Sequence, residues 1–305
     1  MPFHEAYRRQ VALLLRVLPL VAEEPCFALK GGTAINLFIR DLPRLSVDID
    51  LAYLPIEARA PSLAAIDAAL MRIAERAKAT IAGTHIAEGR LQPEGTVNRL
   101  VVRTDGVQIK IEVTPVLRGS VYDPQVRVVS PRVEDSFGFA EIAILSFADL
   151  YAGKIVAALD RQHPRDFFDV ADLLAKEGID DALRRAFIVY LLSHNRPMAE
   201  VLAAPRKEIA DEFARGFQGM TEEPVGLAAL LEAREALIAA IVGEMPEAHR
   251  RFLVSFERGV PEWPLLGVPA AQELPAVRWR QQNLDKLSPS DRAKLVSKLG
   301  RLLSE

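Results

Sequence analysis

The sequence predicts an α+β protein, with a mixed α/β region over residues 1–140 followed by a bundle of helices over residues 141–305. In the first region, short apolar runs alternate with turn residues, as is typical of strands and helices around a mixed sheet. In the second region, apolar residues recur with a period of 3.6 over long stretches, which indicates helices. The length of 305 residues and the hydrophobic content of 50% are sufficient for two domains, each with its own core.

The elements of the N-terminal region follow from apolar periodicity and from the turn residues between the runs. The pattern predicts helices over 6–22, 33–39 and 62–82, and strands over 26–30, 47–54, 97–104 and 107–116. Asp105 and Gly106 separate the last two strands. Because a type I′ turn needs positive φ at both central residues, Asp-Gly between apolar runs predicts a hairpin.

The helical region has recognisable start and stop signals. Ser146 and Asp149 resemble a capping box and predict a helix over 147–161. Pro164 suits the first position of the next helix, which Gly178 ends. Periodicity predicts further helices over 181–193, 225–243, 247–258 and 289–303, with an irregular proline-rich segment over 260–275.

Composition excludes several classes of protein. The single cysteine, Cys26, rules out an intrachain disulfide and a cysteine-based zinc site, and the five histidines show no metal-ligand spacing. No apolar run is long enough to span a bilayer, and the charged residues Glu5, Arg8 and Arg9 argue against a secretory signal. We therefore expect a cytoplasmic protein without a membrane partner. The net charge of −3 excludes a polycation that binds nucleic acid over its whole surface.

Two aspartates lie on one side of the strand predicted at 47–54. Asp48 and Asp50 alternate with Ile49, so both carboxylates face the same side, with Cα atoms about 7 Å apart. Like charges at this distance repel, and a divalent cation between them removes the repulsion. Mg²⁺ takes hard oxygen ligands and commonly binds one or two carboxylates plus substrate phosphates. Asp-x-Asp alone is also common on solvated strand edges.

A third carboxylate lies in the second strand of the predicted hairpin. Glu112 shares a strand face with Lys110 and Thr114, and the intervening residues are apolar. If this strand lies beside 47–54, Glu112 joins the two aspartates, and three carboxylates can hold two metal ions for displacement at phosphorus. The alternative is a solvent-facing glutamate on a half-exposed hairpin.

Two glycines supply a complementary feature at the end of the first strand. Gly31 and Gly32 end the strand and precede a helix at Thr33, which presents free backbone N–H groups to an anion such as a triphosphate. Ser46 offers a hydroxyl two residues before Asp48. A glycine pair after a strand is more often an ordinary turn, so the prediction depends on the combination with the carboxylates.

The helical region contains a charged cluster. Lys154 interrupts an apolar run, and small residues beside it would leave room for a ligand whose phosphate charge it neutralises. Arg165, Asp166 and Asp169 follow at the start of the next helix. The acids there are equally consistent with a favourable position at a helix N-terminus.

Taken in order, these motifs resemble the AbiEii/AbiGii toxin family, which belongs to the DNA polymerase β-like nucleotidyltransferase superfamily and has the MenT toxins as relatives. The resemblance is carried by KGGTA at 30–34, RLSVDIDL at 44–51, KIEV at 110–113, Lys154 and RDFFD at 165–169, and extends to WPLL at 263–266 and LPAVRWRQQNL at 274–284. It covers most of the chain.

The resemblance implies a toxin of a bacterial toxin–antitoxin or phage-defence system that uses a nucleoside triphosphate and Mg²⁺. In related toxins the acceptor is the 3′ end of tRNA, and its extension blocks charging and translation. A type IV system implies a cognate antitoxin that need not form a stable complex. We expect a monomer. The superfamily more often has Gly-Ser where this chain has Gly31 and Gly32, so Thr33 would supply the hydroxyl.

The candidate site residues follow from the pattern and the resemblance together. The predicted metal ligands are Asp48, Asp50 and Glu112, and the predicted catalytic residues are these three with Lys154 and Asp169. The predicted nucleotide-binding residues are Lys30, Gly31, Gly32, Thr33, Ser46, Lys154, Arg165 and Asp166.

An RNA acceptor has some support near the C-terminus. Residues 276–305 contain seven Lys or Arg and three Asp or Glu, and Trp279 lies between Arg278 and Arg280. This pattern suits stacking and phosphate contacts, and equally suits a basic solvated helix after a packed tryptophan. Two other functions remain open: transfer of a nucleotide to a small molecule or protein, and a non-catalytic module that binds nucleotide or antitoxin.

Overall fold

The computed structural model describes residues 3–304, which form two compact units. The first unit extends to Leu150 and includes Gln218–Pro224, and the second comprises Tyr151–Phe217 and the residues from Val225 onward. The division lies ten residues later than the composition shift at 140 predicts, because the segment Glu141–Ile144 pairs into the sheet of the first unit.

A sheet of seven strands organises the first unit. The strands are β1 (Phe27–Lys30), β2 (Asp48–Tyr53), β3 (His85–Arg90), β4 (Val97–Thr104), β5 (Val107–Val113), β6 (Gln125–Val128) and β7 (Glu141–Ile144). Their order across the sheet is β3-β4-β5-β2-β1-β7-β6. The β2–β5 and β1–β7 pairs are parallel, and the other neighbours are antiparallel, so the predicted mixed sheet is confirmed.

Four helices accompany the sheet: α1 (Glu5–Ala22), α2 (Gly31–Ala34, continued as a π-helical turn over Ile35–Ile39), α3 (Arg59–Thr80) and α4 (Pro131–Phe137). α1 packs against β5 and β7, and α3 packs against β4. The strand residues beneath these helices are fully buried, among them Ile49, Leu51, Leu100 and Ile111. The other side of β2, β4 and β5 carries the polar residues.

The predicted hairpin is confirmed, including its turn. β4 and β5 pair from Thr104 opposite Val107, and Asp105 and Gly106 have φ of 50° and 72°. These positive values are those of a type I′ turn, whose twist matches that of the flanking strands.

The second unit is helical. After α5 (Phe147–Asp160), which crosses the boundary, come α6 (Pro164–Lys176), α7 (Asp181–Leu192), α8 (Met198–Leu202), α9 (Ala210–Gly216), α10 (Leu227–Ile238), α11 (Glu247–Glu257), α12 (Pro275–Asp285) and α13 (Pro289–Ser304). The Ser146 hydroxyl accepts a hydrogen bond from the Asp149 N–H, which confirms the capping signal before α5. The proline-rich segment forms only two short 3-10 turns, Trp263–Leu265 and Pro269–Glu273. No helix among residues 3–304 is both long and apolar enough to span a membrane.

Periodicity does not reveal the short elements. β3 and β6 are the two edge strands and are largely exposed, so neither has the alternation that marks a half-buried strand. β7, α4, α8, α9 and α12 were also not predicted; most of them are too short for a helical period to be recognised.

Candidate active site

Three carboxylates lie on the polar side of the sheet. Asp48 and Asp50 are half-buried, whereas Ile49 between them is fully buried, so both aspartates face away from α1 and α3. Parallel pairing of β2 with β5 places Glu112 directly beside Asp50, and Lys110 beside Asp48. Because directly paired residues of neighbouring strands point to the same side, Glu112 shares this side with the aspartates. The juxtaposition that the sequence left conditional is therefore present.

Gly31 lies directly against the Asp50 carboxylate. Its φ is +73°, and a Cβ built at this position would lie 2.7 Å from Asp50 Oδ2. Two independent reasons thus require glycine here: the left-handed backbone and the close approach of a carboxylate oxygen. The chain can turn from β1 into α2 beside the carboxylates only because this residue has no side chain.

Gly32 lies against a second pair of polar groups. A Cβ at Gly32 would lie 2.7 Å from Arg44 Nη2 and 2.9 Å from Ser46 Oγ. Arg44 is 1% exposed, and its Nη1 donates to the Leu45 carbonyl oxygen at 2.9 Å. Sequence reasoning assigned no role to Arg44; its only signal is its place in the segment that also contains Ser46 and Asp48.

The Thr33 hydroxyl connects the glycine turn to β2. Thr33 is buried, and its Oγ1 donates to the Asp48 carbonyl oxygen at 2.5 Å and lies 3.0 Å from Ser46 Oγ. The Thr33 hydroxyl thus holds the backbone at Asp48 in this structure, and its contribution to phosphate binding stays a prediction. Ser46 is the hydroxyl residue that lies against Gly32.

Lys30 provides a cation beside the carboxylates. The antiparallel register of β1 and β2 pairs it with Asp50, and its Nζ donates to Thr114 Oγ1 at 3.1 Å. Enclosure by protein atoms lowers the pKa of Lys30 below its ordinary value, although the negative charges of Asp50 and Glu112 act in the opposite direction. Lys30 therefore partly neutralises this pair of carboxylates.

The donor set suits a divalent cation. Carboxylate oxygens are the ligands that Mg²⁺ prefers. Within residues 3–304, however, no three His, Cys, Asp or Glu side chains converge closely enough to enclose a metal by themselves. The residues thus fit a site that substrate phosphates would complete, as is common for Mg²⁺.

A Gly31→Ala variant is expected to lose about 10²-fold in catalytic rate, because its Cβ must displace the Asp50 carboxylate. The strained backbone should also destabilise the fold by about 1–2 kcal/mol. Gly106→Ala is a matched control, since Gly106 has φ of +72° and a Cβ added there would have no neighbouring atom within 4 Å. Enzymatic activity and urea unfolding are measured for both variants. Equal activity of the two would contradict the contact with Asp50.

The second unit holds a buried cluster of opposite charges. Lys154 Nζ lies 3.0 Å from Asp166 Oδ1 and 2.9 Å from Asp169 Oδ2, and all three side chains are at most 5% exposed. Arg161 approaches Asp166 with two nitrogens, at 2.6 and 2.8 Å. The structure thus joins three of the predicted residues, with Lys154 ion-paired to the two acids.

Charge pairing determines the ionisation of Asp166. Burial alone would raise the pKa of its carboxyl group, but Lys154 and Arg161 outweigh burial and hold the pKa well below its ordinary value. Gly153, one of the small residues beside Lys154, lies against Tyr190, since a Cβ there would lie 3.2 Å from Tyr190 Cε1. The backbone N–H of Arg165, the remaining predicted residue, donates to His163 Nδ1 at 3.1 Å. The contribution of this cluster to nucleotide binding stays a prediction.

The basic C-terminal segment has less free charge than its sequence indicates. Arg280 is buried, pairs with Glu257, and donates to the carbonyl oxygens of His194 and Arg196. Arg278 is paired with Glu273. Trp279 is half exposed, but the two arginines beside it are engaged within the second unit.

Comparison with known proteins identifies the family. The family described as "Nucleotidyl transferase AbiEii toxin, Type IV TA system" matches residues 12–283, nearly the whole chain. This chain belongs to the AbiEii toxin family. The AbiEii match contains every predicted site residue, from Lys30 to Asp169. No curated protein matches the chain.

A solved structure is similar to this AbiEii chain in fold. MenT4, a nucleotidyltransferase toxin from Mycobacterium tuberculosis, superposes with a TM-score of 0.60 at 15% identity, covering 97% of this chain and 93% of MenT4. The fold is therefore that of a MenT-like nucleotidyltransferase, and the AbiEii chain is a nucleotidyltransferase toxin of the type IV toxin–antitoxin class. The predicted family and fold class are confirmed.

Proposed function

We propose that this AbiEii toxin transfers nucleotides from a nucleoside triphosphate to an RNA acceptor, the 3′ end of tRNA, and so inhibits translation and growth. The observation that carries the proposal is the β2–β5 register, which places Glu112 beside Asp50 on the side that carries Asp48, with Gly31 against Asp50. Carboxylates next to a side-chain-free turn suit a triphosphate, because a divalent cation held by the carboxylates would neutralise the charge of the phosphates.

In the proposed reaction, the acceptor hydroxyl oxygen attacks the α-phosphorus, the bond to the β-phosphate breaks, and pyrophosphate leaves. Asp48, Asp50 and Glu112 would hold Mg²⁺, which when bound supplies charge neutralisation at the phosphates and at the attacking oxygen. Glu112 accepts the hydroxyl proton. Gly31 and Gly32 allow the triphosphate to approach the backbone.

Supporting groups keep this arrangement in place. Thr33 fixes the backbone at Asp48, and Lys30 balances the charge of Asp50 and Glu112. In this proposal Ser46 donates to a phosphate oxygen from its position against Gly32. Catalysis then depends mainly on positioning and charge neutralisation, as in phosphoryl transfer generally.

Lys154 and Asp169 are also proposed to take part in nucleotide binding. Lys154 would neutralise triphosphate charge, with Asp166 and Asp169 holding its ammonium group in a fixed position. Arg165 is proposed to contact the same nucleotide. These roles rest on the match of the residues to the family pattern.

The cellular setting follows from the type IV description. We propose that the toxin acts as a monomer in the cytoplasm, is restrained by a cognate antitoxin without a stable direct complex, and contributes to phage defence. Arrested growth on expression, relieved by the antitoxin gene, is the expected phenotype.

Incubation of the purified protein with total tRNA, Mg²⁺ and each radiolabelled nucleoside triphosphate tests the proposal. We expect labelled tRNA, and we expect the labelling to disappear when the tRNA is oxidised with periodate beforehand, because the acceptor is a 3′ hydroxyl. Parallel reactions with total protein and with small-molecule extracts test the alternative acceptors. Label transferred only to those acceptors, or to none, would contradict an RNA substrate.

A further inference from the structure

The polar side of the sheet continues beyond the carboxylates as a basic surface. Pairing of β5 with β4 places Arg99 beside Glu112, Val101 beside Lys110, and Arg103 beside Gln108. Arg99, Arg103 and Lys110 therefore lie on the side that carries Asp48 and Asp50, and all three are exposed. We call these three residues the outer basic surface.

The cations of the outer basic surface are not neutralised by the carboxylates beside them. The register would allow Arg99 to pair with Glu112 and Lys110 with Asp48. Nevertheless, the salt bridges found among residues 3–304 include neither pair, and none of the three cations forms any other. Cross-strand charge compensation thus does not account for the presence of these side chains.

Arg99 is directed away from the carboxylates. The β3–β4 register places Gly89 next to Arg99, and a Cβ at Gly89 would lie 2.7 Å from Arg99 Nε and 3.1 Å from its Nη2. The guanidinium group therefore lies across β3 in the space that glycine leaves. The positive charge of Arg99 therefore lies between the carboxylates and the β3 edge of the sheet.

Among the described residues of β3, β4 and β5, Glu112 is the one acid that the strand register places on this side of the sheet. The acid nearest on β3, Glu88, pairs with Leu100 in register and so faces the opposite side, where Arg90 binds it. A protein interface would need an apolar centre, which these exposed charged residues do not provide. A row of unpaired cations on an open sheet instead matches the phosphate groups of a nucleic acid strand.

We infer that the outer basic surface of β4 and β5 binds the phosphate backbone of the RNA acceptor and guides its 3′ end to Glu112. This inference rests on the proposed function and adds the path of the acceptor. Arg99 and Arg103 contact phosphates without reading bases, and Lys110 contacts the phosphate nearest the carboxylates. Binding is therefore tolerant of sequence and sensitive to salt.

Charge reversal with a matched control tests the inference. Arg103 Nε donates to Gln108 Oε1, and Arg127 on β6 likewise donates to Gln125 Oε1, each at 3.1 Å and at an exposed position. Arg103→Glu should weaken the binding of total tRNA and of a labelled random single-stranded RNA by roughly tenfold, and Arg127→Glu by less than about twofold. Both substitutions are at exposed positions, and circular dichroism checks that both variants fold.

Salt dependence and kinetics provide further measurements. In the double variant Arg99→Ala/Arg103→Ala, the plot of log binding constant for RNA against log salt concentration should become less steep by about 1.4. Each lost phosphate contact removes roughly 0.7 from the magnitude of the slope. The KM for RNA should rise, and the KM for the nucleoside triphosphate should stay unchanged.

The two proposals can fail separately. If the wild-type protein modifies RNA but Arg103→Glu and Arg127→Glu bind it equally, the outer basic surface is not the acceptor path. Polyglutamate serves as a probe for acidic proteins. If Arg103→Glu binds RNA as tightly as the wild type but no longer binds polyglutamate, the surface recognises an acidic protein and the inference is wrong. If the wild-type protein modifies no RNA, the proposed function itself fails.

Discussion

An Asp50→Asn variant is expected to lose nucleotidyl transfer by roughly 10³-fold while keeping its fold. An asparagine side chain has the same shape as that of Asp50, but it lacks the charge that lies in register with Lys30 and Glu112. A neutral amide binds a divalent cation and its triphosphate far less well than a carboxylate does. Transfer to total tRNA at saturating triphosphate measures the loss.

Asp135→Asn is the matched control, because Asp135 is an exposed aspartate on α4 of the same unit. It should keep wild-type activity and toxicity in cells. Full toxicity of the Asp50→Asn variant would favour a non-catalytic module and would contradict the catalytic assignment. A large loss of thermal stability in that variant would instead show that Asp50 mainly supports the fold.

An Asp166→Ala variant is expected to reduce the free energy of unfolding by about 3 kcal/mol, the largest stability effect among the site residues. Without this carboxylate, the buried Lys154 keeps its ion pair with Asp169 but loses the one with Asp166. Arg161 loses its ion pair with Asp166 as well. An ammonium group that has lost one of two buried counter-charges retains part of its desolvation cost. Urea unfolding at neutral pH measures the change.

The contribution of Asp166 to the stability of the fold should decrease as the pH falls. Lys154 and Arg161 hold its pKa below the unfolded value of about 3.9, so its stabilising contribution is complete above that pH and falls as the pH decreases toward the folded pKa. The stability difference between wild type and Asp166→Asn should therefore stay constant from about pH 8 to pH 5 and narrow below about pH 4.

Asp211→Asn serves as the control for this series. Asp211 pairs with Arg215 within one helix, and both side chains are more than 80% exposed. Its loss should cost at most about 0.5 kcal/mol. If the difference in free energy of unfolding between wild type and Asp166→Asn grew as the pH fell, the lowered pKa of Asp166 would be contradicted.

The sequence predicted the local features of the site well. The alternation of Asp48 and Asp50 with Ile49 indicated which side of the strand each faces, and burial confirms it. The Asp105-Gly106 turn was predicted together with its conformation. Such features depend on neighbours along the chain, so periodicity and turn chemistry are enough to predict them.

Other features of the site could not be predicted from pattern. Arg44 lies against Gly32, and the Thr33 hydroxyl donates to the Asp48 carbonyl oxygen; no sequence spacing indicates either contact. The pairing of Lys154 with two acids likewise depends on how α5 meets α6. The exposed edge strand β3, which places Gly89 beneath Arg99, has no apolar alternation to reveal it.

By itself, then, the sequence determined the two-part composition, the main helices and strands, the side of the strand on which Asp48 and Asp50 lie, and the family. Only the tertiary structure decided that β2 pairs with β5, that Glu112 stands beside Asp50, and that Gly31 faces the same carboxylate. The reason is physical: the direction of a side chain follows from the local backbone, whereas strand pairing is decided by which buried faces pack together across the whole unit.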